Sequence, residues 1–208
     1  MEYRQGGRPL RADAARNVEK IIAAARECFH ERGPEVPLQF IAETAKVGPA
    51  TLFRNFADKE ALVLAVISRQ LREHVDPVVV QALVEPDAGD ALMRVIESIV
   101  QVAAEESMLL DALVGRRGVL TTISGNIIEA LGMLLGRAQR QGTIRGDVSQ
   151  EDVIRIVAML IGSVDTIERG TSAWRRPVAL IEDSLRPAAA TRELPPQTPV
   201  PSLQLPLG

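Results

Sequence analysis

A single cysteine, Cys28, excludes an internal disulfide and any multi-cysteine zinc site, and the two histidines, His30 and His74, are too far apart in sequence to form a short metal-binding pair. No metal ion and no other cofactor is therefore expected. The chain is also poor in aromatic residues. Four phenylalanines, one tyrosine and one tryptophan serve 208 residues, so the core must rest on Leu, Ile, Val, Ala and Met, which pack well between helices. Nothing approaches the run of about 18 apolar residues that a membrane span needs. The opening MEYRQGGRPLR carries charge without the apolar segment of a signal peptide. A cytoplasmic protein with no membrane partner is the expectation. The signatures of catalysis are missing as well: there is no Gly-rich phosphate loop, no nucleophile elbow, no HExxH and no Cys/His pair, and the acidic residues show no paired placement. The sequence does not read as an enzyme.

What is present is ordinary globular composition, 46% hydrophobic and 25% charged, with apolar residues at helical spacing. The net charge of −3 argues against a generic nucleic-acid coat. It is unevenly spread, however: residues 1–60 hold 10 Lys and Arg against 9 Asp and Glu, and residues 61–208 hold 14 against 18. A basic arm, residues 1–11 with Arg4, Arg8 and Arg11, precedes a first helix that starts at about Asp13, carries Val18, Ile21, Ile22, Ala25 and Phe29, and stops at Gly33 and Pro34. Short helices follow over 37–45 and 49–56. Asp58 then caps a long helix running to about Asp76. Further helices are expected around 92–102, 108–114, 123–138, 149–169 and 177–186. The fold class is all-α with about nine helices. The chain divides into an N-terminal arm and head (1–57), a larger helical body (58–186) whose first helix, 58–76, links the two, and a proline-rich tail (187–208) expected to be extended.

The stretch IAETAKVGPATLFRNF, residues 41–56, holds helical apolar spacing interrupted by Gly48 and Pro49. Proline inside a helix costs about 3 kcal/mol, so a tight turn between two helices is the economical reading. Ile41, Ala45, Leu52 and Phe56 then pack against the first helix, with Ala42 where the two helices approach and Val47 filling the turn. Pro49, Ala50, Thr51, Phe53, Arg54 and Asn55 face outward. Such a layout is a helix-turn-helix, whose second helix can enter a DNA major groove. Thr51, Arg54 and Asn55 can hydrogen-bond to phosphates or base edges, and Phe53 is an aromatic that a merely solvated helix would not need.

The run LQFIAETAKVGPATLFRNFADKEAL from Leu38 to Leu62, with GRPLRADAARNVEKIIAAARECFHERG before it, resembles the DNA-binding part of the TetR family of bacterial transcriptional regulators; the match covers about residues 8–66. Further along only RAQRQGTIRGDVSQEDV and the helical architecture are similar to that family. The resemblance implies a homodimer that binds double-stranded, palindromic operator DNA and releases it when a small-molecule effector occupies the C-terminal body. It also implies that Thr51 contacts DNA, that Lys59 contacts phosphate, and that Gln39 touches DNA from the second helix. Phe53 stands where the family usually has Tyr, and Asn55 where it often has His. Lys46 replaces a turn glycine, and Pro37 a Thr cap. Arg8, with Arg4 and Arg11, reads either as a minor-groove arm or as a solvated tail.

Met93, Ile96, Val100, Leu109, Leu113, Ile127, Leu131 and Met159 lie on helices expected to enclose an effector chamber, although each reads more readily as plain core. The helix from Ser149 is apolar on two sides, with Ile154 and Ile161 beside the small residues Ala158 and Gly162, so it is the expected dimer interface. Asp165 belongs either to that edge or to the chamber. The competing reading is a helical interaction or ligand-carrier protein without DNA binding, which salt-dependent DNA affinity would separate from a regulator.

Overall fold

The first helix, α1 (Arg8–Arg32), buries Ile21, Ile22, Ala25 and Phe29 along one stripe and ends at Gly33, whose φ of +82° only glycine adopts without strain. Its start corrects the expected arm: Arg8 is the first helical residue and Arg11 lies in the first turn. Pro9 causes no conflict there, because the first turn needs no N–H, and the alanine-rich RADAAR that follows favours helix. The computed structural model describes residues 8–111 and 125–196, so Arg4 lies outside the described residues.

α2 (Leu38–Thr44) and α3 (Pro49–Asn55) are seven residues each. Between them Lys46 takes φ +56°, its N–H donates to Glu43 O at 3.0 Å, and the N–H of Val47 donates to Ala42 O at 3.0 Å. This pair of bonds is the glycine-type helix ending, here imposed on a lysine at a cost of about 1 kcal/mol. Gly48 caps α3 and Pro49 opens it. Ile41, Ala42, Ala45, Leu52 and Phe56 are buried in the core that α1 shares, and the Arg32 guanidinium lies 3.9 Å from the centre of the Phe40 ring.

α4 (Lys59–His74) starts where the Asp58 carboxylate accepts from the N–H of Ala61 at 2.8 Å. It packs on α1 on one side and on α5 and α6 on the other. α5 (Asp76–Val84) is a tenth helix that the sequence pattern does not announce, since Val78, Val79 and Val80 are poor helix formers. Burial decides it: Val79 and Ala82 pack inward, Pro77 suits the first turn, and Arg137 donates to the terminal carbonyls of Leu83 (2.7 Å), Ala82 and Glu85.

The body continues with α6 (Ala88–Glu105), capped by Asp87, and α7 (Ser107–Asp111). α8 (Gly125–Gln141) ends at Gly142, with φ +72°. α9 (Gln150–Ser163) opens on a reciprocal Ser149–Asp152 capping box. It stops at Ser163, earlier than the expected 169, and passes into a 3-10 turn, Val164–Thr166. α10 (Arg175–Leu185) completes the ten α-helices among the described residues, which contain no strand. No helix among them is long and apolar enough to cross a membrane.

The expected extended tail is corrected in its first part. Pro187–Ala189 form a 3-10 turn, Arg145 donates to Arg192 O at 3.0 Å, and the N–H of Leu194 reaches Asp147 Oδ2 at 3.4 Å. Residues 187–196 therefore run over a corner made by a two-pronged Arg145–Asp147 pair at 2.6 and 2.7 Å.

Two predictions follow from this geometry. Lys46→Gly removes the left-handed strain and should raise the melting temperature by about 2–4 °C, the equivalent of about 1 kcal/mol for a chain of this size; an unchanged or lower value would show that the lysine is held there without cost. The Arg145 hydrogen bond holds the Asp147 carboxyl down to about 2. Because that value is below the ordinary one, the pair's contribution is present above about pH 4 and fades as pH falls toward 2. An NMR titration should give the low midpoint in the wild type and a value near about 4 in Arg145→Gln.

Candidate nucleic-acid interface and its attachment to the body

On α3 Leu52 points inward, and Phe56 at the C-cap is buried beside it; together they determine where the rest point. Leu52 and Phe56, one turn apart, are buried, which leaves Pro49, Ala50, Phe53, Arg54 and Asn55 exposed and Thr51 half-buried at the edge. Phe53 is 53% exposed, flanked by Arg54. A ring in that position can meet a thymine methyl, while Arg54 can reach phosphate or guanine. Asn55 is already engaged: its Nδ2 donates to Thr51 O at 2.7 Å, which fixes the amide and leaves its oxygen as the available acceptor. Gln39 is exposed on α2. Lys59, the first residue of α4, is half-buried with Nζ 3.8 Å from Glu35 Oε2. Glu35 is almost fully solvated, so the contact is loose and easily exchanged for a phosphate. Arg8 begins α1.

The residues expected around an effector chamber divide into three groups. Met93, Ile96, Val100, Leu109, Ile127 and Leu131 are all buried in the body, and Met93 borders a cleft of about 250 Å³ with Asp90, Thr143, Glu182 and Pro187. Leu113 lies outside the described residues. Met159 is 63% exposed and points away from the core, which corrects its assignment to a chamber; Asp165 is exposed on the 3-10 turn. Ile161 is corrected in the opposite direction. It continues the inward stripe of Val153, Val157, Leu160 and Val164 and closes against Leu71 and Ile99, so it is no surface residue of the folded chain. Ile154, Ala158 and Gly162 are half-buried, and Leu180 of α10 is 61% exposed.

Sequence reasoning missed a buried carboxylate that joins α1 to the body. Glu106, between α6 and α7, is 1% exposed. Its Oε1 accepts from Arg26 Nε at 2.8 Å, and its Oε2 lies 3.0 Å from His30 Nε2, both partners being on α1. The available signal was faint: two polar residues four apart on α1, and a glutamate following a strongly apolar helix.

Comparison with known proteins agrees with this geometry. Residues 21–66 match the bacterial regulatory proteins of the tetR family, and residues 87–187 match the C-terminal domain described as that of an SbtR-like transcriptional regulator. The chain is 37% identical to a TetR transcription regulatory protein of Mycobacterium vanbaalenii, over 86% of this chain and 99% of that one, with a TM-score of 0.55. For a TetR transcriptional regulator of Streptomyces coelicolor the identity is 30%, the coverage 83% and 99%, and the TM-score 0.53. An HTH-type transcriptional regulator of Staphylococcus aureus (strain bovine RF122 / ET3-1) is 36% identical over 67 residues, and this match takes in 32% of the chain and only 36% of that relative.

The inward placement of Ile161 is open to test. Ile161→Asp puts a carboxylate among Leu71, Ile99 and Leu110, and a buried unpaired charge costs several kcal/mol. The cooperative thermal transition of the body should be lost. A mutant that melts like the wild type would put Ile161 back on an outer face.

Proposed function

The chain belongs to the TetR family of bacterial transcriptional regulators, and on that footing we propose that it is a DNA-binding repressor that leaves a palindromic operator when a small molecule occupies its helical body. The observation that carries this reading is the face of α3, where Phe53, Arg54 and Asn55 project from a helix anchored by Leu52 and Phe56. In the proposed complex α3 lies in the major groove with Thr51, Arg54 and the Asn55 oxygen toward base edges. Lys59 and Gln39 face the backbone.

The proposed division of labour assigns residues 1–57 to DNA and 58–186 to effector binding and dimerisation, with α4 common to both. Two heads related by a two-fold axis would address successive major grooves about 34 Å apart. The proposed interface combines Ile154, Ala158 and Gly162 with the exposed Met159 and Leu180, apolar groups on two neighbouring helices that a second copy would cover. The effector is taken to be a small molecule held in the helical body, where Met93 borders the cleft of about 250 Å³.

Selection of an operator from random DNA, followed by affinity measurements across salt concentration, tests the reading. Lys59→Ala should weaken binding nearly equally on all sequences and lower the salt slope by about one. Thr51→Ala and Arg54→Ala should instead relax discrimination at one operator position by about 1–3 kcal/mol per lost base contact. Affinity independent of salt and sequence would sink the proposal.

A further inference from the structure

Glu106 occupies a joint. α6 ends at Glu105 and α7 begins at Ser107; at Glu106 itself the backbone turns to φ −101°, ψ 20°. Its own N–H donates to Val102 O at 3.0 Å, and its carbonyl accepts from the N–H groups of Leu109 and Leu110 at 2.9 and 3.1 Å. The main chain therefore allows the residue little rotation. Its carboxylate is held as firmly, one oxygen by Arg26 and the other by His30. These two lie four apart on α1 and present neighbouring donors from one helix face. A carboxylate withdrawn from water and hydrogen-bonded on both oxygens tolerates little displacement of its partners, since such bonds weaken steeply beyond about 3.2 Å.

α4 also joins head and body, packing against α1 on one side and α5 and α6 on the other. One shared helix leaves a hinge, and a second fixed point removes its freedom to swing. The joint also adjoins the rest of the body. Glu106 borders a cavity of about 10 Å³ with Ile67 and Leu71 of α4, Ile99 and Val102 of α6, and Ile161 of α9. α9 thus touches this joint on one side and exposes Met159 on the other.

We infer that Glu106 is a positioning residue for operator recognition: through Arg26 and His30 it fixes the angle at which the DNA-reading head is carried on the body, and so the half-site spacing that the protein accepts. The inference rests on the regulator reading above. It assigns Glu106 no contact with DNA. Inserting one base pair between half-sites moves them apart by about 3.4 Å and rotates one about 35° around the duplex, a mismatch that a stiff head cannot follow and a loose one can.

The experiment uses the full chain and the operator selected by the wild type, together with versions whose spacer is one base pair longer or shorter. The wild type should lose at least about tenfold in affinity on either altered spacer, the equivalent of about 1.4 kcal/mol. Glu106→Gln keeps the volume and removes the charge, and should cut that penalty to about threefold or less while leaving base discrimination within each half-site unchanged. Arg26→Met repeats the test from the head side, where the side chain is 40% exposed, and its melting temperature is measured alongside. Variants that melt at lower temperature yet keep the full spacing penalty would show the cluster to be structural and overturn the inference, as would a wild type indifferent to spacing. A wild type that selects no DNA overturns the regulator reading and this inference with it.

Discussion

A seven-residue helix does not persist alone in water, because nucleating one turn costs more than so few hydrogen bonds return. α3 is such a helix, and its existence depends on the burial of Leu52 and Phe56 in the core shared with α1, α2 and α4. Everything proposed for the head follows from that constraint. The two anchors set the rotation of α3 about its axis, and the rotation decides that Phe53, Arg54 and Asn55 meet solvent. The left-handed turn at Lys46 sets the angle at which α3 leaves α2. The protein accepts local strain there to keep the outward face rigid.

Elements whose evidence is local were legible in the sequence. The Asp58 cap, the Ser149 cap, the glycine stop at Gly33 and the Gly48–Pro49 break each depend on residues within one turn of each other, so reading neighbours is enough. α5 was not legible because its cause is distant. Three successive valines disfavour helix, and only packing against α6 and α8, with Arg137 supplying donors to its last carbonyls, reverses the preference. The face of α9 was misjudged for a related reason. Ile161 and Met159 are both apolar and two residues apart, so they point in nearly opposite directions, and hydrophobicity alone does not say which one the body covers.

The head–body contact was hidden more thoroughly. Beyond the i, i+4 placement of Arg26 and His30, the cluster with Glu106 carries no spacing signature, because that relation exists only after two helices from different parts of the chain have met. A buried carboxylate reads in sequence like any surface glutamate. The proposed DNA face rests on residues that are contiguous and resemble a known pattern, while the joint that orients it is a property of the tertiary structure.

That joint also orders events in time. Arg26 and Glu106 are 80 positions apart, whereas the helices of the head meet over much shorter loops. Short loops close at lower entropic cost, and a chain emerging from the ribosome N-terminus first completes them first. The surface that reads a sequence is then shaped early, while its aim is set only when α6 has been synthesised and packed. A nascent or truncated chain ending before Glu106 would carry a finished reading head with no fixed direction.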